Sequence, residues 1–301
     1  TSTITASSST MTTDGSSEIT VQLKDHLGNP ITHDRGDITL TATMGHLSAV
    51  INHANGTYTA TLTGDTRGTR GTGTAVVTGT FVGEGTASNV HGSISDDATV
   101  EITEGAANIA DIQITTAHGS ITADQSTTID VQLHDQFGNT IISDQGTVLL
   151  STTLGVINNG SLPYASTHVE ANYVGDGLYR ATLQMNGIGV GEATVSGTFD
   201  GNSITDQAVV TITPGNATHL AIQTQPGVTA ENTHLIAGEN FPTQPVIDIL
   251  DQWGNRVTGD NSTVITAAVV SGATVLLPAS NLSVTASAGR ATFSELKYLT
   301  A

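Results

Sequence analysis

Cysteine is absent from these 301 residues, lysine and arginine together number 8, and aromatic residues make up 4%. Without cysteine there is no disulfide framework and no thiolate zinc site, although secretion without cysteine is common among long bacterial repeat proteins. Eight basic residues stand against 27 acidic ones, a net charge of −19. Phosphate binding needs a basic surface, so this balance argues against nucleic acid and against an anionic membrane face as partners. No run of about 18 apolar residues exists, so no membrane insertion is expected in this segment. With so few aromatics, the cores must be built from Val, Ile, Leu and Ala. Long runs of good helix formers are also missing. Thr1 opens the chain without a signal-peptide pattern, and the sequence reads as a mature or excised piece of something larger.

Threonine, serine, glycine and repetition are what the chain does have. "KDHLGNP" at 24–30, "HDQFGNT" at 134–140 and "LDQWGNR" at 250–256 are versions of one septet. Laying Asp25 on Asp135 gives an offset of 110, which also lays Asp14 on Asp124, Ile19 on Ile129, Val21 on Val131 and Leu23 on Leu133. "EITEGAANI" at 101–109 falls on "TITPGNATH" at 211–219 at the same offset. Laying Asp135 on Asp251 needs 116, with the extra residues inside 225–244. A second signature follows: "NGTYTATL" at 55–62, "DGLYRATL" at 176–183 and a weaker "AGRATF" at 288–293. Such self-similarity marks a tandem array. The units are 1–106, 107–216 and 217–301. The third reads as incomplete, lacking its last two strands, through truncation or through completion by a partner.

"EITVQLKD" alternates, with Ile19, Val21 and Leu23 on one face and Thr20, Gln22 and Lys24 on the other. "DITLTA" does the same with Ile38, Leu40 and Ala42, and unit two repeats both patterns, with Val148 and Leu150 in the second. Short alternating strands between Gly, Asn and Asp turns, in units of about a hundred residues, predict an all-β protein of tandem β-sandwiches. In each septet, Asp at the first and Gly at the fourth position suit a type I turn, with the carboxylate accepting backbone N–H bonds. Gly28, Gly138 and Gly254 permit left-handed backbone, and Asn29, Asn139 and Asn255 tolerate it. The septets therefore read as structural turns. Tyr58 and Tyr179 follow a glycine by two residues at a strand start, like the tyrosine corner of immunoglobulin-like sandwiches. Ala60 and Ala181 stand where antibody domains carry cysteine. In the third unit Arg290 lies in the region of the tyrosine.

V-x-L-x-D-x-x-G-N, then G-x-Y-x-A-T-L, then V-x-G-T-F resembles the bacterial Ig-like domains of the invasin and intimin type. The resemblance covers almost the whole chain. It implies a linear array of immunoglobulin-like domains in a large bacterial surface protein, extracellular and non-catalytic, most often a rod that carries an adhesive tip away from the cell. The partners it implies are neighbouring Ig-like domains, and other copies of the chain where such domains build surface layers, sheaths or filaments. It is silent on a host receptor.

Several motifs carry a second reading. Asp25 and Asp34, Asp135 and Asp144, and Asp251 and Asp260 are each nine apart. A turn that folds back would bring each pair together as a Ca²⁺ site; otherwise each Asp caps its own turn. Asp96, Asp97, Glu101 and Glu104 gather near the first junction, a second place for calcium. "DRGDI" at 34–38 contains Arg-Gly-Asp, a tripeptide many integrins recognise. It aligns with "DQGTV" and "DNSTV", so the slot is a turn before a buried strand. Asn55, Asn159, Asn216, Asn261 and Asn281 sit in N-x-S/T, a number chance supplies in so Ser- and Thr-rich a chain. Ten histidines form no repeated pair. There is no G-x-S-x-G elbow, phosphate-cradling loop or H-E-x-x-H helix. The expectation is no enzyme and no cofactor, Ca²⁺ apart.

Overall fold

A computed structural model describes residues 1–64, 71–83, 91–160, 166–185, 187, 189–229, 236–268 and 282–297. Asn281 and parts of the 225–244 insertion lie outside the described residues.

Alternation builds the first sheet. In Ser16–Gln22, Ser17, Ile19 and Val21 are buried and the residues between them face outward. Burying an aliphatic side chain of this size contributes about 1.5–3 kcal/mol, which fixes the face that turns inward. This strand pairs antiparallel with Thr3–Ala6 and Thr57–Thr63, and His46–Leu47 and Ile51–Asn52 pair with the far side of Thr57–Thr63. The second sheet runs Thr10–Thr12, Ala98–Thr103, Gly73–Gly83, Gly36–Ala42, with His91–Ser93 also on Gly73–Gly83. The chain changes sheets early: Thr3–Ala6 is antiparallel to Ser16–Gln22, whereas Thr10–Thr12 is parallel to Ala98–Thr103.

Unit two repeats this plan, switch included, with Gln113–Thr116 on one sheet and Ser120–Thr122 parallel to Ala208–Thr213 on the other. Unit three has a three-stranded sheet, His219–Thr224, Val246–Leu250, Arg290–Thr292, and a pair, Val264–Thr266 with Ser283–Thr285.

Each unit has its own hydrophobic cluster. One lies within 4–102, with Ile19, Val21 and Leu62 fully buried. Another lies within 112–212, around Leu133, Ile141, Leu150 and Leu183. A smaller one includes Ile249, Ala291 and Phe293. Ala60 and Ala181 are buried.

Strand register corrects one sequence alignment. Arg290 lies opposite Asp248 as Arg180 lies opposite Asp130, and each arginine binds its partner at 2.6 Å. Arg290 is thus the counterpart of Arg180 rather than of Tyr179. Gly289 is the counterpart of Gly177: the Gly289 carbonyl accepts the Ile249 N–H as the Gly177 carbonyl accepts that of Leu133. The two residues between Gly177 and Arg180, the tyrosine among them, have no equivalent in unit three.

Candidate functional site at the joints between units

The septet aspartates close their own turns in one way three times. Oδ1 accepts the N–H two residues on, at 2.9 Å from Leu27, Phe137 and Trp253. It also accepts the N–H four residues on, from Asn29 at 2.8 Å, Asn139 at 3.0 Å and Asn255 at 2.9 Å. The Asp carbonyl accepts the glycine N–H three residues on. Gly28, Gly138 and Gly254 have φ of 87°, 79° and 88°, the left-handed region where glycine is free of the Cβ clash. The asparagines differ from expectation. None has a positive φ; each instead turns its side-chain amide back to the aspartate Oδ2, at 3.1, 3.0 and 2.9 Å.

The second carboxylate oxygen does more in units two and three. Asp135 Oδ2 accepts the Thr13 hydroxyl at 2.8 Å and the Gly105 N–H at 3.2 Å, both from the unit before it. Asp251 Oδ2 accepts the Gly215 N–H at 3.0 Å. Both aspartates are 0% exposed. Burial alone pushes their pKa up, but these hydrogen bonds outweigh it and hold both below the usual carboxylate value. The asparagines reach across as well: Asn139 Oδ1 accepts the Gly71 N–H at 3.1 Å, and Asn255 Oδ1 accepts the Gly189 N–H at 3.2 Å. At the first joint, Glu104 Oε1 also accepts from Ile142 N and Ser143 Oγ, and the Gln145 side chain donates to the Gly105 carbonyl at 3.1 Å.

At the second joint Trp253 packs on the core of unit two. Its ring lies so close to Gly187 that a Cβ there would meet Trp253 Cδ1 at 1.9 Å. The septet is thus both a turn and the socket of a joint. Turn chemistry explains its Asp, Gly and Asn. At the second joint the large apolar residue in its middle, Trp253, was the sequence signal for the socket.

The other singled-out residues serve the fold. Tyr58 and Tyr179 are buried, but the bonds are not those of a tyrosine corner, which run to backbone a few residues upstream. Tyr58 donates to the Gly36 carbonyl on the opposite sheet at 2.7 Å. Tyr179 donates to Asp144 Oδ1 at 2.6 Å and accepts the Gly146 N–H at 3.4 Å. Burial first, and then the bond to Asp144, pushes the Tyr179 pKa up to about 12.

Asp34 binds Gly36 N and Asn52 Nδ2, and Asp260 binds Ser262 N, Thr263 N and Thr263 Oγ1. Asp25, Asp135 and Asp251 therefore share no donor with their partners nine residues on. Of the acidic group at the first junction, Asp96 binds Ile4 N, Glu101 binds Thr74 Oγ1 and Glu104 crosses the joint. Among the described residues no three His, Cys, Asp or Glu converge to hold a metal ion. The Arg-Gly-Asp tripeptide runs into the Gly36–Ala42 strand, with Gly36 opposite Gly83 and Asp37 opposite Val82.

"Invasin, domain 3" matches residues 1–105 and again 108–215, more than half of the chain. FdeC, an Escherichia coli adhesin, has a solved structure similar at a TM-score of 0.51 and 21% identity, with 100% of this chain and 88% of that one covered. InvD of Yersinia pseudotuberculosis is similar at 0.50 and 22%, with 99% and 84% covered. At such identities the likeness is one of fold. No curated protein matches the chain. The chain belongs to the invasin domain 3 family, the non-catalytic Ig-like domains of bacterial adhesins.

Proposed function

We propose that this chain is a stalk segment of a bacterial surface adhesin, outside the cell, dividing as 1–106, 107–216 and 217–301 into Ig-like modules held in stiff series. The buried joint aspartate carries the reading. A freely jointed linker would leave such a carboxylate in water, whereas Asp135 and Asp251 are enclosed and hydrogen-bonded to two modules at once. The linkers match, since Gly105 and Gly215 leave their last strand and meet the next septet at once. Single-molecule pulling on the 301-residue chain tests it. Separate unfolding peaks, about one per module, are expected; a single cooperative rupture would count against a series of modules.

A second reading, a subunit that assembles with other copies of itself into a layer, sheath or filament, is favoured by unit three. Leu220 and Ile222 are 53% and 55% exposed there, while Ile112 and Ile114, their counterparts in unit two, are buried. An exposed apolar strand invites pairing with another chain. Sedimentation discriminates: a monomer supports the stalk, open-ended polymers the assembly.

A further inference from the structure

Units one and two differ at one sheet edge. In unit two the strand Val148–Thr152 is paired on both sides, with Gly191–Phe199 on one and His168–Glu170 on the other. On the second side Leu150 lies opposite Val169, the Val148 carbonyl accepts Ala171 N at 2.9 Å, and Thr152 N donates to the Thr167 carbonyl at 3.1 Å. Unit one has no counterpart of His168–Glu170. Tyr179 lies 121 residues after Tyr58, whereas the first two septets lie 110 apart, and the extra residues of unit two include that strand.

Gly36–Ala42 therefore ends its sheet, paired on one side with Gly73–Gly83. Thr43 N donates to the Val76 carbonyl on that side. Alternation turns the Ile38 carbonyl, both backbone groups of Leu40 and Ala42 N the other way, where no described residue pairs with them. The core beneath is looser to match: Leu40 and Leu47 are half-buried, while their counterparts Leu150 and Ile157 are fully buried. Lysine, proline and bulges, the usual guards of an edge strand, are all missing from Gly36–Ala42.

We infer that this edge binds the same edge of a second copy of the chain, antiparallel, joining two unit-one sheets into one. The occupant is read from unit two. Its covering segment is His168, Val169, Glu170, Ala171: polar, apolar, polar, alanine. Thr39, Leu40, Thr41, Ala42 have the same order. Laid antiparallel about Leu40, the second copy places a leucine on Leu40 as Val169 lies on Leu150, flanked by exposed threonines where His168 and Glu170 are exposed. Each Ala42 N–H then meets the other copy's Ile38 carbonyl, as Ala171 N meets that of Val148. No charged residue lies between Ile38 and Ala42, so the strip brings no like charges face to face. A twofold contact of this kind closes at two copies. The inference rests on the edge alone: it needs neither the stalk reading nor the exposed strand of unit three.

Sedimentation velocity of the 301-residue chain over a concentration series tests it. A monomer–dimer equilibrium that stops at two is expected. It strengthens with salt, because each copy carries a net charge of −19 and salt screens their repulsion. Ala42→Pro removes an outward N–H and spares the bonds to Gly73–Gly83, so it is expected to leave a monomer. Cysteine, which the chain lacks, reads the register. Thr39 of one copy lies opposite Thr41 of the other. Thr39→Cys and Thr41→Cys chains, oxidised as a mixture, are expected to form disulfide-linked pairs faster than either alone, whose like positions are diagonal neighbours at the limit of a disulfide's reach. A chain that stays monomeric at every concentration and salt overturns the pairing and leaves the edge to a segment of another protein. Association that survives Ala42→Pro overturns it too, as do cysteine variants that link equally fast alone and mixed.

Discussion

Gly56, Gly177 and Gly289 show how one residue type can be required for two reasons. Their φ values are 79°, 62° and 70°. A Cβ on each would meet a carbonyl oxygen of the facing turn, Ile31 at 2.1 Å, Ile141 at 2.0 Å and Val257 at 2.4 Å. Backbone cannot give way as a side-chain tip can. Gly138 also has a positive φ, of 79°, but nothing lies within 4 Å of its Cβ position. Gly177→Ala is therefore expected to cost about 3 kcal/mol or more, from strain and displacement together, and Gly138→Ala only about 1–2 kcal/mol, from strain alone. Urea melts of the two variants check the ratio; equal losses would mean that the facing turn moves aside freely. The "G" of each signature is plain in the sequence. That a carbonyl from a turn 25 to 36 residues away excludes its Cβ is not, because such closeness exists only once the sheet has paired.

At the scale of elements, the joint is a turn whose second carboxylate oxygen serves both its own asparagine and the neighbour. Asp135→Ala would strip partners from Thr13, Gly105, Phe137 and Asn139 together. Bonds to a buried charge are the strong ones, so a loss of about 3 kcal/mol is expected, against about 1 kcal/mol for Thr13→Ala. The acid dependence has a definite sign. Both joint aspartates have folded-state pKa values below the ordinary one. Their contribution is therefore fully present above the unfolded value, near pH 4, and is lost as pH falls through the lowered folded values. Denaturation at pH 7 and pH 3 should show wild type losing stability and Asp135→Ala losing less; an equal loss in both proteins would place the acid sensitivity elsewhere. The turn itself was legible from Asp, Gly and their spacing. The left-handed role expected of Asn29, Asn139 and Asn255 was not what they do, because a side-chain bond to the aspartate satisfies them in ordinary backbone.

Across the whole molecule, three clusters of buried side chains belong to three separate stretches of chain. Leu183 is fully buried in the second. Leu183→Ala should cost unit two about 2–5 kcal/mol by leaving a cavity. Sites this far apart add nearly independently, so the other two transitions in a calorimetric scan should stay in place; a common downward shift would show that the units unfold as one. Periodicity alone determined the alternating strands around Ile19, Val21 and Leu23, their copies 110 residues on, and the all-β class, because inward and outward faces are written locally at every second residue. Partners far apart in sequence could be assigned only by the tertiary structure: Tyr179 to Asp144, Arg290 to Asp248, and above all Oδ2 of Asp135 to Thr13 and Gly105. A hydrogen bond reads distance in space, and a sequence separation of 122 between Thr13 and Asp135 leaves no local pattern that encodes it.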